Sequence, residues 1–154
     1  MFSFENKIPL GVFAGVSSNL IRNVFGFILY YFDYKEHTIW EFATSAVVAK
    51  NKTGEISALI IGAFNDFAIA SIVGIITVYF IYFTGKDNFI LKGFIVGSAA
   101  WMLIFIPVTQ LEISRIQPES ISSNIIYLLG HLFLGILTSI IIVQLGKKAL
   151  KKES

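Results

Sequence analysis

Four long apolar runs, separated by short polar stretches, set the pattern of this chain. The first, about residues 8–32, carries one charge, Arg22, in 25 residues. The second, 56–84, carries one, Asp66. The third, 89–111, has Lys92 near its start, and the fourth, 121–145, has a single ionisable residue, His131. A helix needs about 20 mostly apolar residues to cross hydrocarbon, and each run meets that length. The pattern predicts an all-α integral membrane four-helix bundle, one domain over residues 1–154. Between the first two runs lies TIWEFATSAVVAK, residues 38–50. It is too short to span. Ile39, Trp40, Phe42, Ala43, Ala46 and Val47 share a helical face, with Glu41 and Ser45 off it. This predicts a short interfacial or re-entrant helix, anchored by Trp40, with Glu41 solvated.

Within the first run the small and polar residues recur at intervals of three and four. Gly11, Gly15, Ser18, Asn19, Arg22, Asn23 and Gly26 therefore share one face. Phe13, Leu20, Val24, Phe27 and Tyr31 occupy the other, which suits lipid. Small residues let a second backbone approach, and polar ones hydrogen-bond across the contact. The glycine–asparagine–arginine stripe is expected to face inward. In the third run Gly93, Gly97 and Trp101 repeat at four-residue steps, and Pro107 is expected to kink the last turn. The GKDN turn after Thr84 makes the second and third runs antiparallel neighbours.

Composition agrees with this reading. The chain is 55% hydrophobic and 14% charged, against about a quarter charged in soluble domains. It has no cysteine, which excludes thiolate catalysis, thiolate metal sites and disulfides. The first run is too long for a cleavable signal and has no closing small-residue site, so it reads as a retained span. With the N-terminus inside, the inner side holds Lys7, Lys86, Lys92, Lys147, Lys148, Lys151 and Lys152. The outer side holds Lys35, Lys50, Lys52 and Arg115. The basic excess places both termini in the cytoplasm.

The intramembrane polar residues fall at similar depths. At ~1.5 Å per residue, Asn19, Asp66 and His131 each lie roughly 15–16 Å from an end of their runs, and Arg22 one turn beyond Asn19. An arginine near the bilayer centre costs about 2.5–3.5 kcal/mol on insertion scales, so a carboxylate at matching depth is its natural partner. The expected cluster is Arg22 paired with Asp66, bordered by Asn19, Asn23, Asn65 and His131. Arg22 could also snorkel to the outer headgroups; for the cluster itself, two readings stay open. The cluster binds a small polar solute or relays protons, as intramembrane ionisable groups often do, or it only holds helices together. Four spans are few for a carrier, so transport would imply a homo-oligomer or a partner membrane subunit. The bilayer itself is the expected partner.

No chemistry-bearing motif competes. There is no G-x-S-x-G, HExxH, Walker A or Rossmann glycine pattern. Basic–aromatic interleaving for nucleic acid is missing, and no metal, cofactor or catalytic residue is implied. AGVSSNLIRNVFGF (residues 14–27), TIWEFATSAVVAK, KGFIVGSAAW and GHLFLG together resemble small four-span membrane proteins of Gram-positive, spore-forming bacteria. In that group histidine often occupies the second-span position where Asn65-Asp66 stands here. The resemblance implies a bacterial cytoplasmic membrane and brings no activity with it.

Overall fold

The computed structural model of the chain describes residues 4–118 and 120–151. Its helices are α1 (Lys7–Tyr31), α2 (Ile39–Ser45), α3 (Ile56–Thr84), α4 (Phe89–Ala100), α5 (Ile106–Gln110) and α6 (Ile121–Leu145), with a 3₁₀ turn at Lys50–Lys52. A π-helical turn, Trp101–Phe105, joins α4 to α5. Four helical stretches, Lys7–Tyr31, Ile56–Thr84, Phe89–Gln110 and Ile121–Leu145, are long and apolar enough to cross a membrane. They form a ring in which α3 and α6 each neighbour both α1 and α4, and α3 also touches α6.

Local sequence explains each boundary. Pro9 sits in the first turn of α1, where its missing N–H leaves no bond unmade. The α1 stripe turns inward as expected: Gly11, Gly15, Ser18, Asn19 and Asn23 are buried, while Phe13, Leu20, Val24, Phe27 and Tyr31 are exposed. Helix α3 ends at Gly85, whose positive φ of 88° suits glycine. The Lys92 ammonium donates to the Thr84 and Gly85 carbonyls at 3.2 and 2.7 Å, closing the C-terminal end of α3.

Two pairs of helices meet backbone to backbone through glycine. A Cβ on Gly15 would overlap the Ala70 carbonyl, and one on Gly74 the Gly11 carbonyl, so α1 and α3 touch along this seam. A Cβ on Gly97 would overlap the His131 carbonyl, and one on Gly135 the Gly93 carbonyl, so α4 and α6 do the same. Between the pairs, Val73, Val96, Ala100 and Leu134 fill the centre. Leu10, Val78, Ile81, Ile142 and Leu150 pack the end where the termini meet.

The third run departs from expectation. It is not one α-helix bent at Pro107. The Ile106 N–H reaches back to the Trp101 carbonyl, five residues earlier, and the widened turn lies just before the proline. Proline has no N–H for the Leu103 carbonyl, and the π turn absorbs that break.

Helix α2 also differs. A capping box of Thr38 and Glu41 fixes its start, but the helix ends at Ser45 rather than 50, where the Val47 and Val48 N–H groups both turn back to the Thr44 carbonyl. Glu41 is thus engaged with Thr38 rather than solvated; its Oε2 accepts from the Thr38 N–H at 2.7 Å. Ser45, expected off the packed face, is fully buried against Ser114, 2.5 Å away. Trp40 lies edge-on to the exposed Phe27, with centroids 4.9 Å apart. The Trp40 carbonyl rests on Gly62 and the Thr44 hydroxyl donates to the Ala58 carbonyl, so α2 runs antiparallel to the start of α3.

Candidate functional site

One helical turn beyond the α1–α3 glycine seam, the stripe on α1 becomes polar. Asn19, Arg22 and Asn23 lie within a single turn and a quarter, so their side chains converge. They converge on Asp66 of α3. The Arg22 Nη2 donates to Oδ1 at 2.5 Å. The Asn19 and Asn23 Nδ2 groups both donate to Oδ2, at 2.7 and 2.8 Å. The Arg22 and Asp66 side chains keep only 10% and 7% of their exposure. Both carboxylate oxygens are therefore occupied, by three donors from one helix. Charge-assisted hydrogen bonds are about twice as strong as neutral ones, and here all three cross the same interface.

Two oxygens are left over. Asn19 Oδ1 and Asn23 Oδ1 are buried with no hydrogen-bond partner among the described residues. A buried acceptor left unsatisfied costs about 1–3 kcal/mol. Turning either amide over would present an oxygen to the carboxylate, so the carboxylate dictates the amide orientation.

His131 lines a cavity with Arg22, Asn65 and Asp66, but its hydrogen bond is to its own helix. Its Nδ1 lies 2.7 Å from the Tyr127 carbonyl on the turn below. A carbonyl only accepts, so in the neutral ring Nδ1 carries the proton and Nε2 is an acceptor. The imidazole is edge-on to Trp101 and Phe105, at 5.6 and 5.5 Å between centroids. These two rings belong to the π turn, which aims both at α6. Asn65 stays apart. It is offset about 100° around α3 from Asp66, and it lines a cavity without bonding the carboxylate.

Two cavities flank the cluster, and Arg22 and His131 border both. One, about 290 Å³, is bounded by α2, α3, the π turn and α6, and includes Asn65 and Asp66. The other, about 520 Å³, lies chiefly between α1 and α6.

The sequence reading does not mark a second polar set. Loop 33–38 docks on α6. The Tyr127 hydroxyl donates to the His37 carbonyl at 2.7 Å. Glu36 accepts from the Ser120 N–H at 3.1 Å and from the Ser123 hydroxyl. The bonds from Ser120 and Ser123 hold the Glu36 carboxyl down at about 2, and the site is the N-terminus of α6, where a negative charge is favoured. Lys35 is buried, and its ammonium lies over the Tyr127 ring, 5.1 Å from the centroid. Burial, reinforced by nearby Arg22, lowers its pKa from 10.5 to about 8.

The class this defines is an all-helical protein with four helices long and apolar enough to cross a membrane, carrying a buried ion pair between two of them. No known family matches the chain, and no curated protein or solved structure matches it.

Proposed function

We propose that the chain is a multi-pass protein of a bacterial cytoplasmic membrane, with both termini cytoplasmic, and that its Arg22–Asp66 unit is a structural lock. The observation that carries this reading is the saturation of Asp66. Its two oxygens accept three donors from α1, and the pair is neutral. A charge pair closed on itself needs no ligand to be stable in a low-dielectric setting, whereas half of it would be costly there. On this reading the protein is a membrane scaffold or accessory subunit, working through lipid and partner contacts.

A second reading, solute or proton binding at the cluster, rests on Arg22 and His131 bordering both cavities. The lack of native cysteine allows a clean decision. Single cysteines at Asn19, Asn65 and His131 are probed with a membrane-impermeant thiol reagent. The structural lock predicts protection at all three positions. Labelling at Asn65 or His131 that a small solute or a pH step alters would establish a hydrated site and replace the lock as the primary role.

A further inference from the structure

The larger cavity has a feature that the ion pair does not explain. Its walls are apolar, with Phe25 and Leu29 from α1 and Leu129, Phe133 and Ile136 from α6. Phe25, Leu129 and Phe133 are exposed on the outer surface of the bundle, so the cavity opens sideways between the two helices. At one end it holds two cations, Lys35 and Arg22. Arg22 is matched by Asp66. Lys35 is not: among the described residues no carboxylate lies within ion-pair distance of its ammonium, which sits over the Tyr127 ring and beside Gly26. The nearby Glu41 carboxylate is taken by the Thr38 N–H and hydroxyl. The lining of the cavity thus carries two cations and, among the described residues, no carboxylate, beside a greasy slot.

We propose that this groove binds one anionic glycerophospholipid, with its phosphodiester between Lys35 and Arg22 and an acyl chain along α1 and α6. The charge fits, because a phosphodiester places an anion against a lining that has cations but no carboxylate, and offers enough oxygens for both donors. The shape fits as well. From Tyr127 to Ile136 the slot runs about 13 Å along α6, long enough for much of one chain. An anion there also compensates a lysine that burial otherwise penalises. The site is separate from the terminal lysines Lys147 and Lys148, which lie at the opposite end of α6.

The full chain, reconstituted with equal phosphatidylglycerol and phosphatidylcholine, is released into native mass spectrometry and its retained lipids are counted. The wild type should keep one phosphatidylglycerol with at least about tenfold preference. Lys35→Gln should bring that preference to within about twofold, and Lys35→Arg should keep it. Gly130→Leu fills the slot beside the Arg22 stem, where a Cβ has room at 3.7 Å, and should abolish retention with all charges intact. Lys147→Gln with Lys148→Gln should leave it unchanged. The proposal is overturned if Lys35→Gln or Gly130→Leu retains the lipid as the wild type does. It is equally overturned if inorganic phosphate displaces the lipid at millimolar concentration, since the site would then belong to a soluble anion. Should Lys35→Gln fail to fold, Gly130→Leu decides alone.

Discussion

The α1–α3 and α4–α6 pairs begin alike and end differently. Each opens with glycines at four-residue steps that bring two backbones into contact. One turn on, the α1–α3 seam becomes an ion pair with two amides, while the α4–α6 seam becomes an aromatic box of Trp101, Phe105 and His131. Glycine contact alone sets how closely helices approach, because dispersion is non-directional and glycine seams can slide. The side chains one turn past the glycines set the register. A carboxylate with three fixed donors permits one register only, whereas stacked rings around an imidazole tolerate adjustment. The first pair is therefore tied by directional bonds. The second, interrupted by its π turn, is held by ring packing.

The comparison breaks most sharply at Asp66. Asp66→Ala leaves Arg22 buried without its counter-charge and should cost about 3–5 kcal/mol in unfolding by denaturant in bicelles. His131→Ala removes a ring packed against Trp101 and Phe105 but leaves no charge unpaired, and should cost less, about 2–3 kcal/mol. Equal losses would mean that the two seams are held by equivalent forces. The shared glycine device gives the next effect. Gly15→Val and Gly97→Val each force a side chain onto a carbonyl of the facing helix. Each should destabilise by about 1–3 kcal/mol, and the two costs should agree within about 1 kcal/mol.

The smallest effect concerns the tie between the halves. Glu36, from the loop after α1, is held at about 2 in the folded protein by Ser120 and Ser123 at the start of α6. Its folded pKa lies below its ordinary value of 4.5. The stabilisation is therefore complete above pH 4.5 and drains away as the pH falls toward 2. Unfolding midpoints measured across that window should fall more steeply in the wild type than in Glu36→Gln. Parallel slopes would show that the loop does not depend on this carboxylate.

Much of the α1–α3 pair is legible in the sequence. The α1 stripe has a 3.6-residue period, and a lone arginine and a lone aspartate at similar depths in apolar runs have few other partners. Proximity along the chain groups Asn65 with Asp66, but adjacent helical positions diverge, and of the two only Asp66 bonds the α1 donors while both border the cavity. Gly15, Gly62 and Gly135 look like one repeated theme. In the fold they serve three contacts, with α3, α2 and α4. The capping box is present as Thr38 and Glu41, the S/T-x-x-E spacing, and marks where α2 begins but not where it ends. The π turn has no local signature beyond Pro107. Burial of Lys35 is illegible because its loop is docked by residues 84 to 90 positions downstream of their partners; no window along the chain contains both.

The most direct test of the lock is the charge exchange, Arg22→Asp combined with Asp66→Arg, compared with each single replacement. Asn19 and Asn23 can turn their free oxygens toward an arginine at position 66, so the exchanged pair keeps its supporting bonds. The expected result is a double variant that recovers most of the stability lost by either single variant, with a coupling of about 2 kcal/mol or more. A double variant as unstable as the sum of the two singles would show that Arg22 and Asp66 do not hold α1 against α3.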